Sequence, residues 1–400
     1  MSESSDSKSA ERPRFDDGSP ILITGAGPAG LTSAILLARA GRKVVVAERN
    51  QDVGVRFIGD WQVLENLSDG EDGHDLLSRL GLAENFELIP ATVATFFDHR
   101  LRRRDITSER PYGYFLRRGP YEGTLDRGLL EQARSAGVEI EFGKHVGADH
   151  LGDSRIVATG PGTPDGLARE MTFKTDLPDP TIWVLFDHRI SPGGYAYLFS
   201  LGGFATLGCA IVHDFRNIDR HFDETVARFR EISGFSVSEE RTGYSYMNFS
   251  LKQTASGGGS LYVGEAGGFQ DYLFGLGIRH ALKTGSFAAR ALIEGKSYDE
   301  LWKTSYGRMP ETSVVNRFLY EVAGNAGLAD FVRRAAGAPS LQSYLAGWYR
   351  DALWKRMLFP FVRTLWRSAR CVHRHPHVWC RTSPVRRLEA PLPSMGEKKG

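Results

Sequence analysis

The chain has 400 residues, with 50 Lys and Arg against 48 Asp and Glu and a formal net charge of +2 at pH 7. Hydrophobic residues make up 41% and charged residues 24%, a composition that excludes a disordered or fibrous chain and leaves room for two or three globular cores. Three cysteines spread over the chain exclude a disulfide framework, so we expect a reducing, cytoplasmic compartment.

Residues 1–18 are rich in Ser, Asp, Glu and Lys and lack an apolar core. This composition predicts a disordered tail and not a signal peptide. No stretch reaches the roughly 18 uncharged apolar residues of a spanning helix, so any contact with a membrane would be peripheral.

The first predicted elements are a strand, a glycine turn and a helix of small apolar residues. The apolar run from Pro20 ends in the turn Gly25-Ala-Gly27-Pro-Ala-Gly30, which has the spacing of a dinucleotide-binding turn. Gly25 would make the tight turn, Gly27 would let a pyrophosphate approach the backbone, and Gly30 would let the helix pack closely on the strand. The free amides of the helix N-terminus would receive the phosphate charge.

A second strand over 43–48 ends in Glu48, which lies 48 − 30 = 18 positions after Gly30. This is close to the roughly 20 residues expected for the carboxylate that binds a ribose hydroxyl. A carboxylate at this place disfavours a 2′-phosphate, so NADP is not the expected occupant. The alternative is a glycine turn without function, and the strand, helix, second strand and acid together argue against it.

The chain over 50–60 is punctuated by glycine and is predicted to be a loop. Arg56 in this loop either meets a phosphate or a cofactor edge or is an ordinary solvated arginine, and the sequence leaves both open. The next predicted elements are helices over 61–67 and 75–82, strands over 91–99 and 112–117, and a solvated charged turn over 100–105.

An α/β pattern resumes with a helix after the N-cap Thr124, a strand over 138–142 and a short strand over 155–160. The segment 161–166 has two prolines and no apolar helix after it, so we interpret it as a plain turn and not as a second phosphate loop. We therefore expect no second nucleotide-binding domain.

From Thr172 to Ser250 the hydrophobic period changes to two, which predicts a separate sheet with strands over 182–188, 193–200, 205–212 and 242–250 and a helix over 223–232. Tyr195, Tyr197 and Phe199 share one face of their strand because strand side chains alternate. This face is either an ordinary aromatic core or an apolar wall that faces a ligand.

After a Ser/Gly linker over 254–260, a short strand ends at Gly264 and Glu265, and glycines recur at Gly275 and Gly277 before a helix. The apolar strand and the small residues predict that this segment rejoins the first sheet. One ligand would then contact two segments that lie some two hundred residues apart in sequence.

The end of the chain is predicted to be helical and basic, from Ser297 onward. Its last helix has two alternatives: it docks on the first domain, or it rests on anionic lipid. Its predicted apolar face consists of Leu358, Phe361, Val362, Leu365, Trp366 and Ala369, opposite Arg363, Arg367 and Arg370. The cluster of Cys371, His373, His375, His377 and Cys380 matches no standard zinc spacing, so we expect an unstructured tail and no metal.

These motifs resemble those of the flavoprotein oxidoreductases of the glutathione-reductase type. Within them the chain is similar to the geranylgeranyl reductase-like group and, more distantly, to aromatic hydroxylases such as 4-hydroxybenzoate hydroxylase. The turn Gly25 to Gly30 with Glu48 matches the ADP-binding fingerprint. Gly264 to Phe269, with the Gly275-x-Gly277-Ile278 turn, matches the second FAD motif, and the resemblance covers about Pro20 to Lys296.

A third motif, Gly193 to Ser200, is similar to the family's Y-x-W-x-F-P substrate-wall signature, with Tyr197 in place of Trp and Ser200 in place of Pro. Tyr272 likewise stands where relatives often have Pro. By resemblance Glu265 replaces the usual Asp that binds the ribityl chain. The departures at Tyr197, Ser200 and Tyr272 concern the substrate and the reaction and leave the cofactor motifs intact.

The resemblance implies an α/β fold: a Rossmann-like FAD-binding domain, a second, mostly antiparallel sheet domain for the substrate, and a helical C-terminal region. The expected boundaries are tails at 1–18 and 381–400, an FAD domain of 19–98, 125–171 and 255–296, a substrate domain of 99–124 and 172–254, and a helical region of 297–380. The predicted cofactor-binding residues are Gly25, Gly27, Pro28, Ala29, Gly30, Glu48, Arg49, Arg56, Gly264, Glu265, Gly275, Leu276, Gly277 and Ile278.

The implied function is an FAD-dependent reductase that saturates carbon–carbon double bonds of a large apolar, isoprenoid or lipid-like substrate. Tyr195, Tyr197 and Phe199 would form the substrate wall, and the two tyrosines are weak candidates for the proton donor because an ordinary tyrosine pKa is near 10. The electrons would come from transiently docked NAD(P)H or a reduced carrier protein. The alternatives are a flavin monooxygenase and an electron relay that docks a redox or membrane partner. We expect no nucleic-acid partner, and a cytoplasmic protein that contacts a membrane only peripherally.

Overall fold

The structure is a computed structural model that describes residues 19–162, 164–249 and 251–366. The predicted tails and the cluster from Cys371 to Cys380 lie outside these residues. The strands, numbered in chain order, are β1 (Ile21–Thr24), β2 (Val44–Glu48), β3 (Trp61–Glu65), β4 (Ile89–Ala91), β5 (Val93–Asp98), β6 (Arg103–Thr107), β7 (Gly113–Arg117), β8 (Glu139–Phe142), β9 (Ile156–Val157), β10 (Gly166–Lys174), β11 (Thr181–Phe186), β12 (Tyr195–Leu201), β13 (Phe204–Ile211), β14 (Ser238–Met247), β15 (Ser256–Gly257) and β16 (Ser260–Tyr262). The helices are α1 (Pro28–Arg39), α2 (Gly73–Arg79), α3 (Leu125–Ser135), α4 (Ile218–Ile232), α5 (Ile278–Glu294), α6 (Tyr298–Tyr306), α7 (Met309–Ala336), α8 (Leu341–Tyr349) and α9 (Leu353–Trp366).

The first strand lies in a mainly parallel sheet, which we call the parallel sheet, with the order β15-β16-β9-β1-β2-β8. Ile23 on β1 pairs with Val46 on one side and with Ile156 on the other. The apolar run of β1 suits a strand that is covered on both faces. The segment after residue 254 rejoins this sheet as predicted, because β16 pairs in parallel with β9 through Leu261 and Ile156.

A second, mainly antiparallel sheet, which we call the large sheet, has the order β14-β10-β13-β12-β11-β5-β6. The predicted mixed α/β fold with two sheets and a helical C-terminal region is therefore confirmed. Two expected boundaries fall at different places. Strand β5 belongs to the large sheet although residues up to 98 were assigned to the FAD domain, and the boundary at 171/172 cuts through β10.

Two predicted elements were wrong. The segment 61–67 was predicted to be a helix, but it forms β3, which pairs antiparallel with β7 in a small sheet of order β3-β7-β4. The tertiary contacts decide this, because the Trp61 amide donates to Thr206 Oγ1 at 2.8 Å and its indole donates to the Phe204 carbonyl at 2.9 Å. The second error is partial: the charged segment 100–105 was predicted to be a turn, and residues 100–102 do form one, with the Leu101 amide donating to the Asp98 carbonyl at 2.8 Å. Residues 103–105 instead belong to β6, an edge strand that buries Ile106 and leaves its arginines exposed.

The helical C-terminal region packs against the large sheet and against α5. The Tyr320 hydroxyl on α7 donates to the Gly194 carbonyl at 2.8 Å, and the Phe331 ring lies 5.7 Å from the Phe186 ring on β11. Helix α9 docks through Phe359 and Val362, which are buried in a cluster with residues of α7. Helix α9 therefore docks on the protein, mainly on α7, whereas the first of the two alternatives named the first domain.

The docked face of α9 is not the predicted one. Phe361 was placed on the apolar face, but its side chain is 58% exposed, while the face that packs holds Leu358, Phe359 and Val362. Arg367, Ala369 and Arg370 of the predicted helix lie outside the described residues, and the structure gives no description of the Leu365 and Trp366 side chains. Among the helices that the structure describes, none is both long and apolar enough to cross a bilayer.

Candidate cofactor and substrate site

The two glycine turns face one cavity of about 510 Å³, where the carboxyl ends of β1 and β16 meet the N-termini of α1 and α5. Glu48 and Glu265, far apart in sequence, therefore lie on the same cavity. The predicted cofactor-binding residues that line it are Gly25, Gly27, Pro28, Ala29, Glu48, Arg49, Arg56, Gly264, Glu265, Gly275, Leu276, Gly277 and Ile278. Gly30 has the packing role that was predicted for it, because a Cβ there would lie 2.0 Å from the Gly25 carbonyl oxygen.

The first turn has the shape of a phosphate cradle. Gly25 has φ of +103°, and a Cβ there would lie 2.4 Å from the Ala158 carbonyl oxygen. A Cβ at Gly27 would meet no described atom within 4 Å, so this position opens onto the cavity. No side chain caps the N-terminus of α1, which leaves its first amides available to an anion. The turn therefore fits the pyrophosphate of FAD.

Glu48 is held at the end of β2 by hydrogen bonds from the backbone. Its Oε2 accepts from the Ala26 amide at 2.8 Å, and its Oε1 accepts from the Asn50 amide at 2.9 Å and from Asn50 Nδ2 at 2.7 Å. A carboxylate offers about four acceptor positions, so it can still accept hydroxyl donors from a ligand. This geometry fits the predicted contact with a ribose.

Glu265 follows β16 and lies 3.8 Å from Arg56 Nη2. Burial raises the pKa of the Glu265 carboxyl to about 7, and the charge of Arg56 and the Asn248 amide oppose this shift. The Arg56 guanidinium lies 4.6 Å from the Phe57 ring centre and 5.4 Å from that of Tyr246. Arg56 also lines the cavity, and its contact with a ligand stays a prediction.

The second turn supplies an uncapped helix end and an unpaired acceptor. Gly277 is the N-cap of α5, and no side chain caps this helix. Gln270 Nε2 donates to the Gly275 carbonyl at 2.6 Å, while its Oε1 is buried without a hydrogen-bond partner among the described residues. A buried acceptor without a partner is rare and suits a ligand N–H, which the flavin ring carries.

Tyr195, Tyr197 and Phe199, which we call the aromatic wall, line the same cavity. The Tyr197 and Phe199 rings stack at 5.0 Å, and Phe199 meets Phe115 edge-on at 4.8 Å. One side of the wall faces the cavity and the other belongs to the core under α7 and α8, while contact with a ligand stays a prediction. Tyr272, by contrast, is buried and donates to the Gly268 carbonyl at 3.0 Å.

The tyrosines of the wall are poor proton donors by themselves. Burial raises the pKa of both Tyr195 and Tyr197 above the usual value, which disfavours the tyrosinate that donation would leave. The Tyr195 hydroxyl is also engaged, since it donates to the Phe274 carbonyl at 2.6 Å. The Tyr197 hydroxyl donates to the carboxylate of Glu170.

Sequence reasoning missed Glu170, which is buried on β10 and lines the cavity. It shares a strand face with Ala168 and Thr172. In sequence this face is the less apolar side of the strand, so no local signal marks Glu170 as buried. The start of β10 was instead interpreted as part of a turn.

A second omission is Arg118, which also lines the cavity. It forms a buried bidentate pair with Asp126, with both N–O distances at 2.8 Å. Nothing in the local sequence indicates this ion pair, because Arg118 follows β7 while Asp126 lies in the first turn of α3.

A family model described as an FAD binding domain matches residues 19–160. Digeranylgeranylglycerophospholipid reductase 1 of Methanococcoides burtonii is 23% identical over 336 residues, which cover 72% of this chain and 80% of that protein. Digeranylgeranylglycerophospholipid reductase 2 of Methanothermobacter thermautotrophicus is 25% identical over 367 residues, covering 79% and 91% of the two chains.

Solved structures show the same fold. A geranylgeranyl bacteriochlorophyll reductase-like protein from Thermoplasma acidophilum has a TM-score of 0.65 at 16% identity and covers 85% of this chain and 98% of its own. The p-nitrophenol 4-monooxygenase of Pseudomonas putida has a TM-score of 0.56 at 15% identity and covers 82% and 96%. The match to the FAD-domain model supports FAD as the cofactor, and the geometry of the two turns fits it.

Proposed function

We propose that this chain, an FAD-dependent oxidoreductase related to the geranylgeranyl reductases, reduces carbon–carbon double bonds of a large apolar substrate of the isoprenoid or lipid type. The observation that carries the proposal is that the aromatic wall and both glycine turns line a single cavity. An apolar chain held against the wall would lie beside the cofactor. The two similar proteins are named digeranylgeranylglycerophospholipid reductases, which supports this substrate class.

FAD, when bound, supplies the site that accepts and returns a hydride. The residues of the chain would bind and orient it: the amides of the first turn hold the phosphates, and Glu48 holds a ribose. The uncapped N-terminus of α5 would stabilise the negative charge of the reduced ring. The wall would orient the substrate and exclude water. NAD(P)H or a reduced carrier protein would deliver the electrons.

The test uses the purified, FAD-loaded full-length chain, reduced without oxygen. Addition of a polyprenyl lipid should reoxidise the flavin and give a product heavier by two hydrogens per reduced double bond. A parallel assay adds oxygen and a candidate aromatic, and reoxidation that requires both and yields the hydroxylated aromatic would support a monooxygenase instead. Reoxidation only by a redox protein would support an electron relay, and either result would overturn the reductase proposal.

We also propose that a cytoplasmic chain reaches its lipid substrate by resting on an anionic membrane surface through α9. Four apolar side chains of this helix point away from the protein: Leu353 (73% exposed), Trp354 (51%), Met357 (74%) and Phe361 (58%). The chain after α9, over 367–388, has six arginines and no Asp or Glu. Exposed apolar and aromatic side chains beside a basic segment are typical of helices that lie at a lipid interface.

Vesicle binding tests the membrane contact. Serine at Leu353, Met357 and Phe361 should weaken binding to vesicles that contain phosphatidylglycerol, and wild-type binding should weaken in pure phosphatidylcholine. The matched control replaces Ile293 and Val322 by serine, two apolar side chains exposed elsewhere. Equal vesicle binding by wild type and the α9 variant would refute the contact.

A further inference from the structure

A row of residues across the large sheet joins the aromatic wall to a buried acid. Gly208 on β13 pairs with Tyr197 on β12 and with Glu170 on β10, so the three positions lie side by side. A Cβ at Gly208 would lie 2.2 Å from Tyr197 Cζ. The glycine therefore lets the phenol ring lie flat across β13, and its hydroxyl donates to Glu170 Oε1.

The surroundings of Glu170 keep its proton bound near neutral pH. The residue is 4% exposed, and burial together with the nearby charge of Asp60 raises the pKa of its carboxyl to about 7. The Tyr197 and Ser245 hydroxyls and the charge of Arg56 oppose the shift. An acid with a pKa near the working pH is suited to general acid catalysis.

The other acidic groups of this region are engaged elsewhere. Asp60 accepts from the Ile58 amide at 3.1 Å and from Gln62 Nε2 at 2.8 Å. Glu265 lies next to Arg56 at the glycine turn that is predicted to bind the cofactor. Among these acids, Glu170 is the one hydrogen-bonded to a residue of the aromatic wall.

We propose that Glu170 supplies, through the Tyr197 hydroxyl, the proton that completes reduction of the double bond. This inference rests on the proposed function. With the acid protonated, the hydrogen bond runs from Glu170 to the phenol oxygen, which turns the Tyr197 O–H toward the substrate. FAD, when bound and reduced, would supply the hydride to one alkene carbon, and the π electrons would take the Tyr197 hydroxyl proton at the other. As that O–H bond breaks, the Glu170 proton moves to the phenol oxygen. Glu170 is left as a carboxylate, the flavin is left oxidised, and a proton from water restores the acid.

The protonation of Glu170 can be tested without turnover, by infrared difference spectra of the oxidised FAD-loaded protein across the neutral pH range. As the pH rises through about 7, wild type should lose the carbonyl band of protonated Glu265 and, beside it, a carboxylic-acid carbonyl component from Glu170. This component should be absent in Glu170→Gln, shifted in Tyr197→Phe and retained in the control Glu240→Gln, which changes an exposed acid on β14. Coincident spectra of wild type and Glu170→Gln would overturn the proposal.

The transfer itself is tested by single-turnover reduction of a polyprenyl lipid. With FAD binding unchanged, Glu170→Gln should slow alkene reduction on the order of 10²-fold to 10⁴-fold, and wild-type turnover should decline as the pH rises past about 7. In deuterated water one deuterium should enter per reduced bond. If wild type reduces the lipid and Glu170→Gln reduces it at the same rate, the inference about Glu170 fails while the proposed function stands. If wild type reduces no alkene, the proposed function fails, while the infrared result still reports on the acid.

Discussion

At the scale of single residues, several positions of the site are glycine, and the lack of a side chain there is as important as the side chains elsewhere. Gly27 leaves the first turn open to the cavity, Gly30 lets α1 approach β1, and Gly208 makes room for the Tyr197 ring. The missing side chain thus leaves open space in the first case, allows a close backbone approach in the second and accommodates a side chain in the third. The orientation of Glu48 is also fixed by its neighbours, because two backbone amides donate hydrogen bonds to its carboxylate without a ligand.

Glu48→Gln should weaken FAD binding. The variant keeps the size of the side chain but replaces one charged acceptor by a donor, which removes a charge-assisted hydrogen bond worth about 1.5–3 kcal/mol and so raises the dissociation constant roughly tenfold to a hundredfold. Titration of the apoprotein with FAD, followed by flavin fluorescence, measures this. Glu139→Gln, on the exposed side of β8, is the control and should bind as wild type does. An unchanged dissociation constant in Glu48→Gln would remove the ribose contact.

Gly208→Ala should displace the Tyr197 ring, because the new methyl group would overlap it. Overpacking of this kind costs about 1–3 kcal/mol of unfolding free energy. The variant should also alter the Glu170 carbonyl band, since the phenol no longer reaches the carboxyl. Urea unfolding and infrared spectra measure the two effects. Gly257→Ala, where a Cβ would meet no described atom within 4 Å, should change neither. Wild-type behaviour of Gly208→Ala would contradict the packing described.

At the scale of elements, α5 is the helix that must be placed accurately, because its N-terminus lines the cavity. Arg279 in its first turn is 1% exposed and donates to the Glu65 carbonyl at 2.6 Å and to the Glu71 carbonyl at 2.8 Å. Its guanidinium also lies 3.2 Å from the Asp69 carboxylate, which Lys283 contacts at 2.6 Å. These bonds tie α5 to the chain that follows β3.

Arg279→Met should destabilise the fold by about 3–5 kcal/mol, because it leaves Glu65 buried without its cationic partner. FAD affinity should fall as well, since the N-terminus of α5 loses its anchor. Arg290→Met on the same helix removes an arginine that is 51% exposed and should change the unfolding free energy by less than about 1 kcal/mol. Urea denaturation of the two variants decides the point. Equal decreases in the unfolding free energy of the two variants would show that the Arg279 contacts do not anchor α5.

At the scale of the whole molecule, two sheets and a helical layer together enclose the site. The parallel sheet brings the two glycine turns to one edge, the large sheet contributes the aromatic wall, and α7 and α8 cover the back of that wall. The same enclosure removes ionisable groups from water and shifts their pKa values. The pH dependence of stability is therefore a property of the assembled fold.

The apoprotein should lose stability as the pH rises from about 4.5 to about 7 through Glu170 and Glu265. The folded chain holds protons on these acids that the unfolded chain has already released. His188 and His280, whose pKa values burial lowers to about 4 and about 3, act in the opposite direction below about 6.5. Because these groups act in opposite directions, the contribution of Glu170 to the pH dependence of stability is measured by comparing wild type with a variant that lacks the Glu170 carboxyl.

Urea unfolding of wild type and Glu170→Gln across this pH range isolates that contribution. The stability advantage of the variant should grow as the pH rises and level off above about 7, because only the wild type must ionise a buried carboxyl. Glu240→Gln should run parallel to wild type. A pH-independent difference between Glu170→Gln and wild type would show that the folded-state pKa of Glu170 is not raised.

The cofactor turns could be predicted from the sequence because their requirements are local. A positive φ at Gly25, an open position at Gly27, a close approach at Gly30 and an acid after the second strand are each set by a few neighbouring residues. The return of β16 to the parallel sheet followed from the same kind of local signal, a short apolar strand with glycines after it. By themselves these stretches determined an α/β chain with a dinucleotide site.

Only the tertiary structure decided what depends on neighbours that are distant in sequence. Residues 61–65 became a strand because β7 and the Trp61 contacts were available, although their own sequence suited a helix. The exposed face of α9 was set by the part of the helix that docks. The acidity of Glu170 arises from burial, Tyr197 and Asp60, which come from separate elements. Burial and electrostatic environment are sums over the packed molecule, so no single stretch of sequence encodes them.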